Sequence, residues 1–94
     1  MNDSATKTIH VIFHGRVQGV FFRATTEKHA NKLGIVGTVR NLPEGTVELY
    51  AQGTEEQLDQ LLKRIQEADG NAKVERVEIK TLPSADPFQE FSIL

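Results

Sequence analysis

Cysteine is absent from the 94 residues, which excludes disulfides, thiolate catalysis and cysteine-held metals and leaves the compartment open. A basic excess is lacking too. Eleven Lys and Arg stand against 13 Asp and Glu, a formal charge of −2, which weighs against a general nucleic-acid binder. No stretch approaches the roughly 18–20 apolar residues of a membrane span, and the polar start MNDSATK has no signal-peptide core. A soluble cytoplasmic protein without membrane contact is the expectation. Internal repeats, linkers and low-complexity tracts are missing as well. At 38% hydrophobic residues the chain fits one compact domain with little room for a deep cavity, so a loop or shallow cleft is the expected site. Residues 1–7 read as a flexible polar tail and 8–94 as the domain.

What is present is periodic. Ile9, Val11 and Phe13 alternate with His10 and His14, which predicts a strand with one buried face. Phe22, Thr26, Ala30 and Leu33 recur at helical spacing and Gly34 follows as a stop. The run IVGTVRN at 35–41 is β-branched, LPEG is turn chemistry, and Val47, Leu49 and Ala51 alternate again, predicting a hairpin. Thr54 and Gln57 form a capping-box pattern before an apolar stripe of Leu58, Leu61, Leu62 and Ile65, with Gly70 as the stop. Val74, Val77 and Ile79 read as a fourth strand whose alternation slips once, predicting a bulge. PSADP reads as a loop, and Phe91 and Ile93 as a short last strand. The order β-α-β-β-α-β predicts an α+β ferredoxin-like split βαβ sandwich, an antiparallel-dominated mixed sheet with two helices on one face. The first and second strands then run parallel with the third between them. Their C-terminal ends meet on one edge, about 10 Å apart.

At that edge the chain reads HGRVQGVFFR over residues 14–23. Residues 15–20 are expected to form the loop between strand and helix. Gly15 and Gly19 let the backbone bend and expose N–H groups, and such groups at a helix N-terminus cradle an anion. The alternative is a tight turn with no ligand. The segment is neither a Walker loop nor a dinucleotide fingerprint. Phe21 and Phe22 read as a buried aromatic pair. Arg23 falls in the first helical turn, where a cation opposes the dipole by ~0.3–1 kcal/mol. Its planar fork suits two phosphoryl oxygens, and the competing reading is an exposed pair with Glu27 worth under ~0.5 kcal/mol. Asn41 closes the second strand on the same edge, on the face of Gly37 and Val39 and opposite Thr38 and Arg40. Its amide is able to accept from a water and donate to an oxyanion. Asn before a turn is also common for local reasons.

These residues resemble the acylphosphatase family. Gly15, Val17, Gln18, Gly19, Val20, Phe22 and Arg23 match its Gly-x-Val-Gln-Gly-Val-x-Phe-Arg signature, and Gly37, Val39, Arg40, Asn41, Gly45, Val47 and Gly53 match a second one. The resemblance spans roughly residues 8–94. Thr38 stands where the family usually has a bulky aromatic, and Phe13 where an aliphatic residue is more usual. The resemblance implies hydrolysis of the carboxyl–phosphate bond of acyl phosphates, with inorganic phosphate as product and no cofactor or metal. It implies phosphate held by the loop of Gly15, Arg16, Val17, Gln18, Gly19 and Val20 together with Arg23, and water positioned by Asn41. A monomer acting on a small molecule is the expectation.

The remaining polar residues carry less. His10 and His14 share a strand face about 13 Å apart, with no third ligand at metal spacing. Arg16 reads as a solvated loop residue or an added electrostatic attraction, and Arg40 as a residue that solvates or pairs on the open face. A binding module with a relic anion site and an RNA-binding split βαβ domain are the rivals. The RNA reading needs stacking aromatics on the central strands, and the third strand offers only Tyr50.

Overall fold

The computed structural model describes residues 6–19, 21–67, 73–83 and 87–94. Period-two patterning produces β1 (Lys7–Arg16), β2 (Val36–Asn41), β3 (Val47–Gly53), β4 (Lys73–Leu82) and the short β5 (Phe91–Ile93). Helical spacing produces α1 (Phe22–Leu33) and α2 (Glu55–Glu67). The sheet order is β4-β1-β3-β2-β5. Because β1 and β2 are each antiparallel to β3, they run parallel to each other on either side of it. This is the expected ferredoxin-like arrangement, with β5 added as a parallel strand beside β2.

Register divides the sheet into two faces. Ile9 lies opposite Ala51, Val11 opposite Leu49 and Phe13 opposite Val47, and Gly37, Val39 and Asn41 continue those rows on β2. These rows join Phe22 and Ala30 of α1 and Leu58, Leu61 and Ile65 of α2 in one buried cluster. Burying a side chain such as Leu61 completely contributes about 1.5–3 kcal/mol. The opposite face carries Thr8, His10, Ile12, His14, Thr38, Arg40, Glu48 and Tyr50, and these are partly exposed apart from buried Thr8 and exposed Arg40.

Local chemistry sets the helix ends. Gly34 takes a left-handed φ of 77°, and the N–H groups of Gly34 and Ile35 donate to Asn31 and Ala30 carbonyls. At the start of α2 the capping box is complete. Thr54 N–H donates to Gln57 Oε1 at 2.8 Å and Gln57 N–H to Thr54 Oγ1 at 3.1 Å. Gln57 Nε2 also donates to Leu33 O at 2.8 Å, tying the start of α2 to the end of α1. The expected stop at Gly70 lies outside the described residues, as do residues 84–86 of the PSADP loop.

Three expectations change. β1 begins at Lys7, inside the segment read as tail, because Lys7 pairs with Gly53. β1 also continues through Gly15 and Arg16, which pair with Val74 and Lys73, so the loop expected over 15–20 starts at Val17. The register between β1 and β4 shifts between His14 and Gly15, leaving Glu75 as the extra residue, and this is the bulge the slipped alternation predicted. Phe21 is 85% exposed, so only Phe22 of the expected aromatic pair is buried. Ile79 is 51% exposed, because the helices cover the middle of the sheet more fully than its β4 edge. No helix among the described residues is long and apolar enough to cross a membrane.

Candidate active site

The parallel course of β1 and β2 puts Arg16 and Asn41, their last residues, on one edge of the sheet. The segment from Val17 to Phe21 crosses from β1 to α1 at that edge. Val17 is 1% exposed, so its side chain plugs the core and fixes the loop from below. Gln18 reaches sideways: its Nε2 donates to Leu42 O at 2.9 Å and to Thr46 O at 2.8 Å. Those carbonyls belong to the β2–β3 turn, where Leu42 N–H also donates to Thr46 O and Gly45 N–H to Leu42 O. The Gln18 side chain thus straps the loop to the residues that follow Asn41.

The two loop glycines have different reasons. At Gly15, φ is +124° and an added Cβ would lie 2.2 Å from Lys73 O, so β4 itself demands glycine there. At Gly19, φ is +72° and nothing lies within 4 Å of an added Cβ, so the demand comes from the backbone alone and the space beside it is open.

The start of α1 contrasts with that of α2. Phe21 is the N-cap, left-handed at φ 62° and ψ 21°, with no side-chain cap and no acidic residue in the first turn. Alpha2 has its Thr54 cap and Glu55 and Glu56 in the first turn. Among the described residues, no capping side chain and no first-turn carboxylate compensates the positive end of α1. Arg23 is half-buried in that turn, and its Nη1 donates to Leu94 O at 3.4 Å. Leu94 N–H in turn donates to Val39 O at 2.9 Å, so Arg23 is held beside β2. No ion pair joins Arg23 to Glu27 among the described residues. Phe22 packs edge-on against Phe13, with ring centroids 5.2 Å apart, and anchors the helix start in the core.

Asn41 lies on the helix-covered face opposite Val47. Its Oδ1 is buried and has no hydrogen-bond partner among the described residues. A buried carbonyl oxygen without a donor costs about 1–3 kcal/mol, so this position asks for a donor.

Val17, Gly19 and Arg23 border one cavity at this edge, Gln18 is tied to the turn beside it, and Asn41 ends β2 on the same edge without lining that cavity. Gly15 and Arg16 stand at the end of β1, and Val20 lies outside the described residues. The cavity has a volume of about 300 Å³. Phe21 and Ile93 line it, and neither was singled out from the sequence as part of a site. A larger cleft, about 670 Å³, lies at the far edge of the sheet around Lys7, Gln52 and Leu82. Its cation there, Lys7, is already paired with Glu55 in the first turn of α2 at 2.8 Å.

The open face of the sheet accounts for the other charged candidates. Glu48 accepts from Arg40 Nε at 2.7 Å and pairs with His10 Nε2 at 2.8 Å. Burial pushes the Glu48 carboxyl up, but its bonds to His10 and Arg40 outweigh that and hold it below the usual carboxylate range. His14 pairs with Glu78 and lies against Arg76, on the face away from the helices. His29 on α1 is lowered by burial and then by Arg64, Lys28 and Lys32. No group of three His, Asp or Glu among the described residues is placed to hold a metal.

The acylphosphatase family model matches residues 9–93. A relative from Methylococcus capsulatus named acylphosphatase is 41% identical over 88 residues, covering 94% of this chain and 96% of that one. Another from Bacillus licheniformis is 45% identical over 83 residues, covering 88% and 92%. The solved structure of an acylphosphatase from Coxiella burnetii superposes with a TM-score of 0.87 at 33% identity, covering 100% of both chains. With the family model matching nearly its whole length and relatives 41% and 45% identical to it, the chain belongs to the acylphosphatase family.

Proposed function

We propose that the protein hydrolyses the carboxyl–phosphate bond of acyl phosphates without a metal, as a cytoplasmic monomer. The observation that carries this reading is the start of α1: an uncapped, acid-free helix end with Arg23 in its first turn, on the edge of the sheet where β2 ends at Asn41. Left-handed φ values at Gly19 and Phe21 favour a concave run of N–H groups in this segment. The phosphoryl oxygens are bound by main-chain N–H groups of the loop that follows β1, from Val17 onward, and by the Arg23 guanidinium. Gln18 acts through position, holding the loop against the turn after Asn41.

The side-chain amide of Asn41, whose Oδ1 is buried without a partner among the described residues, positions the attacking water. The water oxygen attacks phosphorus as the bond to the acyl oxygen breaks, and the carboxylate leaves with that electron pair. The proton of the water goes to a phosphoryl oxygen of the substrate. A carboxylate leaving group needs little protonation, so positioning and charge stabilisation suffice.

Release of phosphate from benzoyl phosphate and acetyl phosphate, measured in excess chelator, tests the reading. Arg23→Ala is expected to lower kcat/KM by ~10³-fold or more and to weaken inhibition by inorganic phosphate. Asn41→Ala is expected to lower kcat by ~10²–10³-fold with phosphate inhibition retained. Parent-like turnover by the Asn41 variant would remove its role, and turnover that requires a divalent ion would remove the metal-free mechanism.

A further inference from the structure

Phe21 is costly where it stands. Its left-handed backbone, φ 62°, costs a residue with a Cβ roughly 1–2 kcal/mol. Its ring gains little from burial, being 85% exposed. A strained position that contributes nothing to the core is a pointer to a site. Ile93 is a second exposed apolar side chain, at 39%. It lies opposite Val39 in the parallel pairing, hence on the helix side of the sheet. The two line one cavity of about 300 Å³ with Phe22 and Ala24, and the same cavity is bordered by Gly19 and Arg23.

The cavity is therefore bipolar. One side offers a guanidinium and the glycine backbone, the other an apolar shelf. We infer that Phe21 and Ile93 hold the acyl part of the substrate and select aromatic acyl phosphates over short aliphatic ones. The inference rests on the phosphate reading of Arg23 and the loop. The occupant follows from complementarity: an anion that needs Arg23, joined to a flat apolar group that covers two exposed side chains. At about 300 Å³ the space is at the small end of ligand cavities, which suits a single ring. Ring contact with Phe21 also covers a strained side chain that is 85% exposed.

The test compares kcat/KM for benzoyl phosphate and acetyl phosphate in the full chain. Its variants are Phe21→Gly, chosen because glycine adopts the left-handed region freely and adds no capping side chain at the start of α1, and Ile93→Ser. The parent is expected to favour benzoyl phosphate. Each variant is expected to reduce the benzoyl-to-acetyl ratio by roughly 3- to 10-fold, chiefly through KM. Phe21→Tyr is expected to restore the ratio, and inhibition by inorganic phosphate to shift less than about twofold. An unchanged ratio in both variants overturns the shelf. Equal loss for both substrates with weaker phosphate inhibition also overturns it, because Phe21 would then only shape the loop. A parent that turns over neither substrate removes the phosphate reading and the shelf together, whereas turnover with an unchanged ratio removes the shelf alone.

Discussion

Gln18 and Leu42, 24 positions apart in the chain, are joined by a side-chain amide donating to a main-chain carbonyl at 2.9 Å. The same amide nitrogen reaches Thr46 O at 2.8 Å, so one side chain fastens the phosphate-loop candidate to the turn that follows Asn41. Both carbonyls keep a second donor within the turn. Replacing Gln18 by Leu is therefore expected to cost about 1–2 kcal/mol, read as a lower urea midpoint. It should also weaken inhibition by inorganic phosphate, because the loop is no longer strapped. A stable variant with undiminished phosphate affinity would separate Gln18 from the site.

The loop glycines are expected to respond unequally to alanine. Gly15→Ala brings a Cβ to 2.2 Å from Lys73 O at a φ of +124°, so β1 and β4 must part at the bulge. A loss above about 3 kcal/mol is expected, as for overpacking added to backbone strain. Gly19→Ala meets nothing within 4 Å and carries only the left-handed strain, about 1 kcal/mol. Thermal or urea unfolding of the pair decides it, and equal losses would mean that contact with β4 does not set the Gly15 position.

Acid sensitivity should have a component from the open face. Glu48 has a folded pKa below its unfolded one, through the bonds to His10 and Arg40 that outweigh its burial. The unfolded chain therefore holds its proton at higher pH. The stabilisation is fully present above the unfolded value of about 4.3 and is lost as pH falls through the lower folded value. Glu48→Gln is expected to be less stable than the parent at pH 7 and to show a flatter acid limb in urea midpoints below pH 5. Parallel acid limbs for the two proteins would contradict this.

His29 acts in a higher window. Burial first, then the cations Arg64, Lys28 and Lys32, favour its neutral form in the folded chain, and its Nδ1 is buried without a partner among the described residues. Folded protein therefore binds this proton less readily than unfolded chain. Stability is held above the unfolded value of about 6.5 and falls as pH drops through the folded value. His29→Gln removes the titration, and the difference between urea midpoints at pH 7.5 and 5.5 should shrink. An unchanged difference would show that His29 does not contribute to that slope.

Much of the fold was legible because its signals are local. The alternation at Ile9, Val11 and Phe13, the capping box at Thr54 and Gln57, the stop at Gly34 and the slip before Val77 each depend on residues within a few positions of one another. The candidate site was partly legible. Arg23 and Asn41 were named from type and place, and the topology then brought their elements to one edge. Phe21 was misread, since an apolar residue beside Phe22 looks equally like core until the left-handed backbone turns it outward.

The sequence by itself determined the elements, their order and the residue types at the β1–α1 junction, because period, caps and turn chemistry act over a handful of bonds. Tertiary structure alone decided four things: that β1 runs on through Gly15 and Arg16 against β4, that Gln18 clasps the β2–β3 turn, that Asn41 Oδ1 is buried with no donor among the described residues, and that Phe21 and Ile93 border one cavity with Arg23. Each of these is a meeting of segments distant in the chain, and what a side chain touches there is set by sheet register and helix packing, which no short stretch of residues contains.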